Sequence, residues 1–110
     1  ITVSLDAHYM FNITQRVENN SGVPISVAPY AYVNRVYDES AQTQHYGILH
    51  EGPLGVMEGA LEEVTYADLR EEKKQYANAN GWLGITDKYW LAALIPGQEN
   101  FKVNFSHYTR

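Results

Sequence analysis

Cysteine is absent from all 110 residues, so the chain has no disulfide, no thiolate nucleophile and no cysteine-ligated zinc site, and cysteine usage says nothing about its redox compartment. Cations are scarce. Eight Lys plus Arg face thirteen Asp plus Glu, a net charge of −5, which removes the phosphate-neutralising surface that nucleic-acid binding requires. The same acidity disfavours adhesion to an anionic bilayer surface. Long apolar runs are missing as well: the longest uninterrupted piece, residues 91–95 (LAALI), falls far short of the roughly 18 apolar residues that span a bilayer. There is no convincing long amphipathic helix, no internal repeat, no low-complexity tract, no Gly-x-Ser-x-Gly elbow and no phosphate-binding loop, so acyl transfer and nucleotide chemistry lose support.

What remains is a packable chain. The hydrophobic fraction of 45% against 19% charged residues supplies a core, and the length suits one domain of ordinary size. The chain starts at Ile1 with an alternating pattern already under way at residues 2–5, which predicts an excised segment of a longer protein, with any leader or anchor lying outside it.

The hydrophobic period is two. Tyr9, Phe11, Ile13 and Val17 alternate with polar residues, predicting a half-buried strand that stops at the turn-forming residues 19–22 (NNSG) and hairpins into a second strand at about residues 25–37. Pro29 marks an edge, a bulge or a break in that second strand. Residues 38–44 read as a loop, residues 46–49 and 55–57 as short strand pieces around Gly52 and Pro53, and residues 61–66 as another strand. Residues 67–74 suit one or two exposed helical turns, and residues 77–81 (ANANG) a loop. Residues 89–95 are nearly all apolar and predict a strand covered on both faces; Phe101, Val103 and Phe105 alternate again. Short strands separated by turn signals predict an all-β, antiparallel β-sandwich.

Candidates for chemistry are few. His8, His45, His50 and His107 show no HExxH pair and no close cluster, so metal and cofactor are both expected to be none. His50 and Glu51 suggest acid and base work, but neighbours along a strand point to opposite faces, and a surface or loop pair is the simpler expectation. Glu62 with Glu63, and Glu71 with Glu72, sit in polar runs and read as solvated faces. Three formal glycosylation triplets, at residues 12–14, 19–21 and 104–106, are attributed to chance. The aromatic content stands out: Trp82, Tyr89 and Trp90 either form an open binding platform or, the simpler expectation, anchor the core beside a glycine turn.

Residues 81–96 (GWLGITDKYWLAALIP) resemble the end of the large periplasmic domain of the bacterial membrane protein insertase family YidC/Oxa/Alb. Residues 49–56 (LHEGPLGV) and 59–66 (GALEEVTY) are similar to the preceding family segment in the same order, and residues 17–22 and 28–30 add to it. The family-like positions include Gly52, Pro53, Gly55, Gly81, Asp87, Lys88 and Pro96, and the TDKYW variant at residues 86–90 resembles the alphaproteobacterial form. The resemblance implies that residues 1–110 are the C-terminal part of a periplasmic β-supersandwich similar to the galactose mutarotase fold, carried between two membrane helices at the periplasmic face of the inner membrane. It implies a non-enzymatic accessory role in membrane protein insertion. The implied partners are Sec translocon accessory subunits of the SecD/SecF type and nascent membrane proteins. A carbohydrate-binding or mutarotase-like module is the alternative, although no His and Glu constellation is placed to open a sugar ring; a third reading is a spacer between membrane helices.

Overall fold

A computed structural model describes residues 1–36, 50–97 and 100–108. They form eight strands and one short helix, all strand pairings antiparallel, in two compact units, Ile1–Ala31 and Tyr32–Arg110. The chain is therefore all-β and antiparallel, as the period of two predicts. The strand piece expected at residues 46–49 and the loop at 38–44 lie outside the described residues.

In the first unit, β1 (Thr2–Leu5) and β2 (Phe11–Thr14) form a hairpin in which Val3 faces Ile13 and Leu5 faces Phe11. The four apolar side chains share one face and Thr2, Ser4, Asn12 and Thr14 the other, because opposed residues in an antiparallel pair project to the same side. Asp6 makes the reversal: its Oδ1 accepts from the backbone N–H of His8 at 2.7 Å and of Met10 at 3.0 Å, and Tyr9 takes a left-handed φ of 64°. Tyr9 thus belongs to the turn rather than to the strand expected at residues 9–17.

The hairpin expected at residues 19–22 is corrected. Asn19 does build a turn, its Oδ1 accepting from the N–H and Oγ of Ser21 while its Nδ2 donates to the Val23 carbonyl, but no ladder flanks it. Described residues 25–36 adopt no regular element. Pro29 removes a ladder donor within it and Pro24 another just ahead of it, which makes the segment a break rather than a strand.

The second unit holds a four-stranded sheet in the order β4-β3-β6-β7, from β3 (Gly52–Met57), β4 (Ala60–Glu63), β6 (Leu83–Thr86) and β7 (Leu91–Leu94), and a two-stranded sheet of β5 (Lys74–Ala79) and β8 (Phe101–Phe105). Helix α1 (Tyr66–Glu71) follows β4. Thr65 starts it with a capping box, its Oγ1 accepting from the Asp68 N–H while the Asp68 carboxylate accepts from the Thr65 N–H. One hydrophobic cluster joins these elements: Met57 from β3, Val64, Leu69 from α1, Ala79 from β5, and Phe101, Val103 and Phe105 from β8, with Tyr76 and Leu83 packed against it. Phe105 meets the Tyr76 ring edge-on, 5.8 Å between centroids.

Two expectations fail here for identifiable reasons. Residues 77–79 belong to β5 instead of a loop, because the β5–β8 register shifts between Tyr76 and Ala79; inward positions there are three residues apart, and the period of two disappears from the sequence. β7 is exposed along most of its length instead of covered on both faces; among the described residues it pairs with β6 alone and lies at the rim of its sheet. Trp90, expected as a core anchor, is 77% exposed.

Candidate functional site

The three aromatics do not meet. Trp82 precedes β6 and is half-buried, its carbonyl accepting from the Val56 N–H at 2.8 Å. Tyr89 and Trp90 occupy the turn at the other end of β6, separated from Trp82 by the strand's length of roughly 13 Å. A single three-ring platform is excluded by that spacing. The turn itself is an aromatic tip: Tyr89 is 78% and Leu91 58% exposed, and the Lys88 ammonium lies 5.3 Å from the Tyr89 ring centroid.

The turn is closed by its own backbone and by Asp87. The Asp87 N–H donates to the Trp90 carbonyl at 2.8 Å, the Thr86 hydroxyl reaches the same carbonyl at 3.4 Å, and Asp87 Oδ1 accepts from the Lys88 N–H at 2.8 Å. The other carboxylate oxygen is ion-paired with the guanidinium of Arg35. Pro96, half-buried, follows β7 and ends the apolar run.

Arg35 is the centre of a polar cluster that sequence reasoning missed. Burial pushes the Tyr66 hydroxyl above its ordinary value of 10.0; the Arg35 charge and a hydrogen bond from Arg35 oppose the shift, and the charges of Asp87 and Glu51 add to it. Four separate stretches of chain supply these groups, so no local motif exposes them. His50, half-buried just before β3, directs Nε2 at the Pro53 carbonyl at 3.0 Å; a carbonyl only accepts, so Nε2 carries the proton there. His50 and Glu51 are thus a loop pair, half-buried just before β3. His8 and His107 are exposed and His45 lies outside the described residues. Among the described residues no group of three or more His, Asp or Glu is arranged to hold a metal ion.

The motif residues Gly52, Pro53, Gly55 and Gly81 are scaffold. A Cβ on Gly52, whose φ is 138°, runs into the Val64 carbonyl, and one on Gly55 comes within 2.5 Å of the Trp82 carbonyl, where β3 and β6 close on one another. Gly81 lies similarly against Val56. Pro53 is tolerated in a central strand because its carbonyl accepts from the Val64 N–H at 2.9 Å just beyond the β3–β4 ladder, which begins at Leu54, so its missing donor costs no ladder bond.

The two Glu pairs, expected as unrelated solvated faces, line one open groove of about 560 Å³ together with Val64, Asp68, Lys74 and Tyr76. Burial raises the Tyr76 hydroxyl above 10.0, and the Glu62 charge adds to the shift. Lys74 offsets part of the acidity through Glu72, at 3.8 Å.

Together these features define an antiparallel all-β module whose polar groups tie loops together and which exposes two neighbouring aromatics, Tyr89 and Trp90, on one hairpin turn. A family model described as the YidC periplasmic domain matches residues 1–110. The chain is 47% identical over 105 residues to the membrane protein insertase YidC of Granulibacter bethesdensis, covering 89% of this chain and 18% of that protein. It is 38% identical to the protein of that name from Rickettsia akari (97% of this chain, 19% of the relative) and 40% identical to that from Sinorhizobium fredii (98% and 18%). The chain belongs to the YidC periplasmic domain family. It spans about a fifth of the length of these curated relatives. No solved structure matches it.

Proposed function

We propose that this segment is a non-catalytic contact module, the C-terminal part of the periplasmic domain of a membrane protein insertase, held at the periplasmic face of the inner membrane. It assists insertion and folding of inner-membrane proteins by touching Sec translocon accessory subunits of the SecD/SecF type or emerging substrate segments. The observation that carries this reading is the family match along all 110 residues. The aromatic turn at Tyr89 and Trp90 and the position of β7 at the edge of the described strands support it, because large exposed aromatics and strand edges are the surfaces that capture other chains. In the described residues no helix is long and apolar enough to cross a membrane, so the module acts from outside the bilayer through its parent. Carbohydrate binding, the second reading, is weakened by the separation of Trp82 from Trp90.

Site-specific photo-crosslinking in native membranes tests the proposal, with probes at Tyr89, Trp90, Leu91 and Ile95 of the full-length parent and, for comparison, at Lys73. Discrete cross-links from the first four positions to a translocon subunit or a nascent chain are the expected result. Empty lanes at all of them, with probes shown to be reactive, refute it in favour of a spacer.

A further inference from the structure

We propose that Arg35 is a positioning residue for the aromatic turn: its ion pair with Asp87 locks the reversal between β6 and β7, so that Tyr89 and Trp90 are presented in one fixed orientation. The functional half of this inference rests on the contact reading above.

The geometry gives the reason. The turn is short of internal restraints: the Asp87 N–H to Trp90 carbonyl bond is its only close backbone link, and the Thr86 hydroxyl contact at 3.4 Å is weak. The side chains at its tip, Lys88, Tyr89 and Trp90, are all exposed and brace nothing beneath them beyond the Lys88 approach to the Tyr89 ring. Asp87 is the one residue of the turn whose side chain reaches another part of the fold. With one oxygen it holds the Lys88 N–H and with the other it holds Arg35, so the guanidinium sets the carboxylate plane, and the carboxylate sets the path of the chain into the tip.

Arg35 is itself anchored. Its side chain is 39% exposed and that of Asp87 23%, so the pair is partly withdrawn from water and less screened than a surface pair. The Arg35 charge acts on the hydroxyl of Tyr66, the first residue of α1, which puts the guanidinium near a helix whose Leu69 is in the core. Glu51 contributes a second negative charge from the start of β3. An exposed turn that otherwise frays, since local opening is easiest where buried contacts are few, is thereby tied through one cation to a stretch of chain outside its own hairpin.

Amide hydrogen exchange on the full-length parent tests this, comparing Arg35→Gln, Asp87→Asn and the double variant. Each single change is expected to speed exchange in residues 84–92 by about fivefold, the effect of losing one half-buried ion pair. The double variant should be no faster than either single one, because both remove the same bond. Residues 54–63, in β3 and β4, should exchange as before. Unchanged exchange in 84–92, equal acceleration in 54–63, or multiplied effects in the double variant would each overturn the proposal. The contact reading fails separately: if Arg35→Gln loosens the turn yet probes at Trp90 never cross-link in the unmodified protein, the positioning stands and the docking role does not.

Discussion

Replacing Gly52 by Ala should be far more damaging than its size suggests, and Gly59 supplies the control. Both glycines have positive φ, 138° and 81°, so both substitutions force an L side chain into backbone space it disfavours. Around Gly59 a new methyl meets nothing within 4 Å, which leaves a conformational cost of about 1 kcal/mol. At Gly52 the φ value lies in a region nearly reserved for glycine, costing roughly 1–3 kcal/mol, and the methyl collides with the Val64 carbonyl. That carbonyl is main chain and moves only with Val64, whose N–H is bonded to Pro53 at 2.9 Å; losing this bond adds about 1 kcal/mol. The expected total is about 3 kcal/mol for Gly52→Ala against about 1 for Gly59→Ala. With a urea dependence of about 2 kcal/mol per molar, the midpoints fall by about 1.5 M and 0.5 M. Pulse proteolysis of the full-length parent across a urea series, reading the band that contains this segment, measures both. Equal midpoints for the two variants would refute the claim that the seam between β3 and Val64 demands glycine.

Phe105→Ala should destabilise by about 3–5 kcal/mol, since it empties the centre of the cluster and removes the Tyr76 ring contact, readable in the same urea series. Trp90→Ala, by contrast, should shift the urea midpoint of the 110-residue segment little, within about 0.5 kcal/mol, because the ring is mostly in solvent. Thr65→Ala should cost about 1 kcal/mol through loss of the capping box and show as faster amide exchange in α1. Tyr66 and Tyr76 both titrate above 10.0 in the folded chain, so the folded state keeps protons that the unfolded chain releases. Stability from these groups is complete below pH 10 and is lost as pH rises through their raised values; alkaline unfolding curves should flatten when both are changed to Phe. The 110-residue segment alone should self-associate, detectable by light scattering, because Val3, Leu5, Phe11 and Ile13 form an exposed apolar face.

Much of the fold class is written in local pattern. The alternation of Phe101, Val103 and Phe105 is reproduced residue for residue in β8, and the polar residues 67–74 contain most of α1. Both signals are local: a strand half-buried against a core needs a period of two, and an exposed helical turn reads as a polar run; the Thr65 cap that starts the helix, inside the strand expected at residues 61–66, came only with the structure. The motif at residues 81–96 carried the family, which the match over residues 1–110 establishes.

Tertiary structure decided what pattern cannot encode. Whether an apolar strand is central or at a rim depends on how many neighbours the sheet supplies, and residues 91–94 have the composition of a covered strand while lying at an edge. A bulge erased the period of β5, and Pro29, with Pro24 just ahead, interrupts residues 25–36 of the strand expected at residues 25–37. The Arg35, Asp87, Tyr66 and Glu51 cluster joins groups separated by 15 residues or more in every pair, so spacing carries no trace of it. Residue types and periods therefore determined an antiparallel all-β module of acidic character. Burial, edge position and charge pairing were left to the fold, because each depends on which distant segment arrives opposite a given side chain.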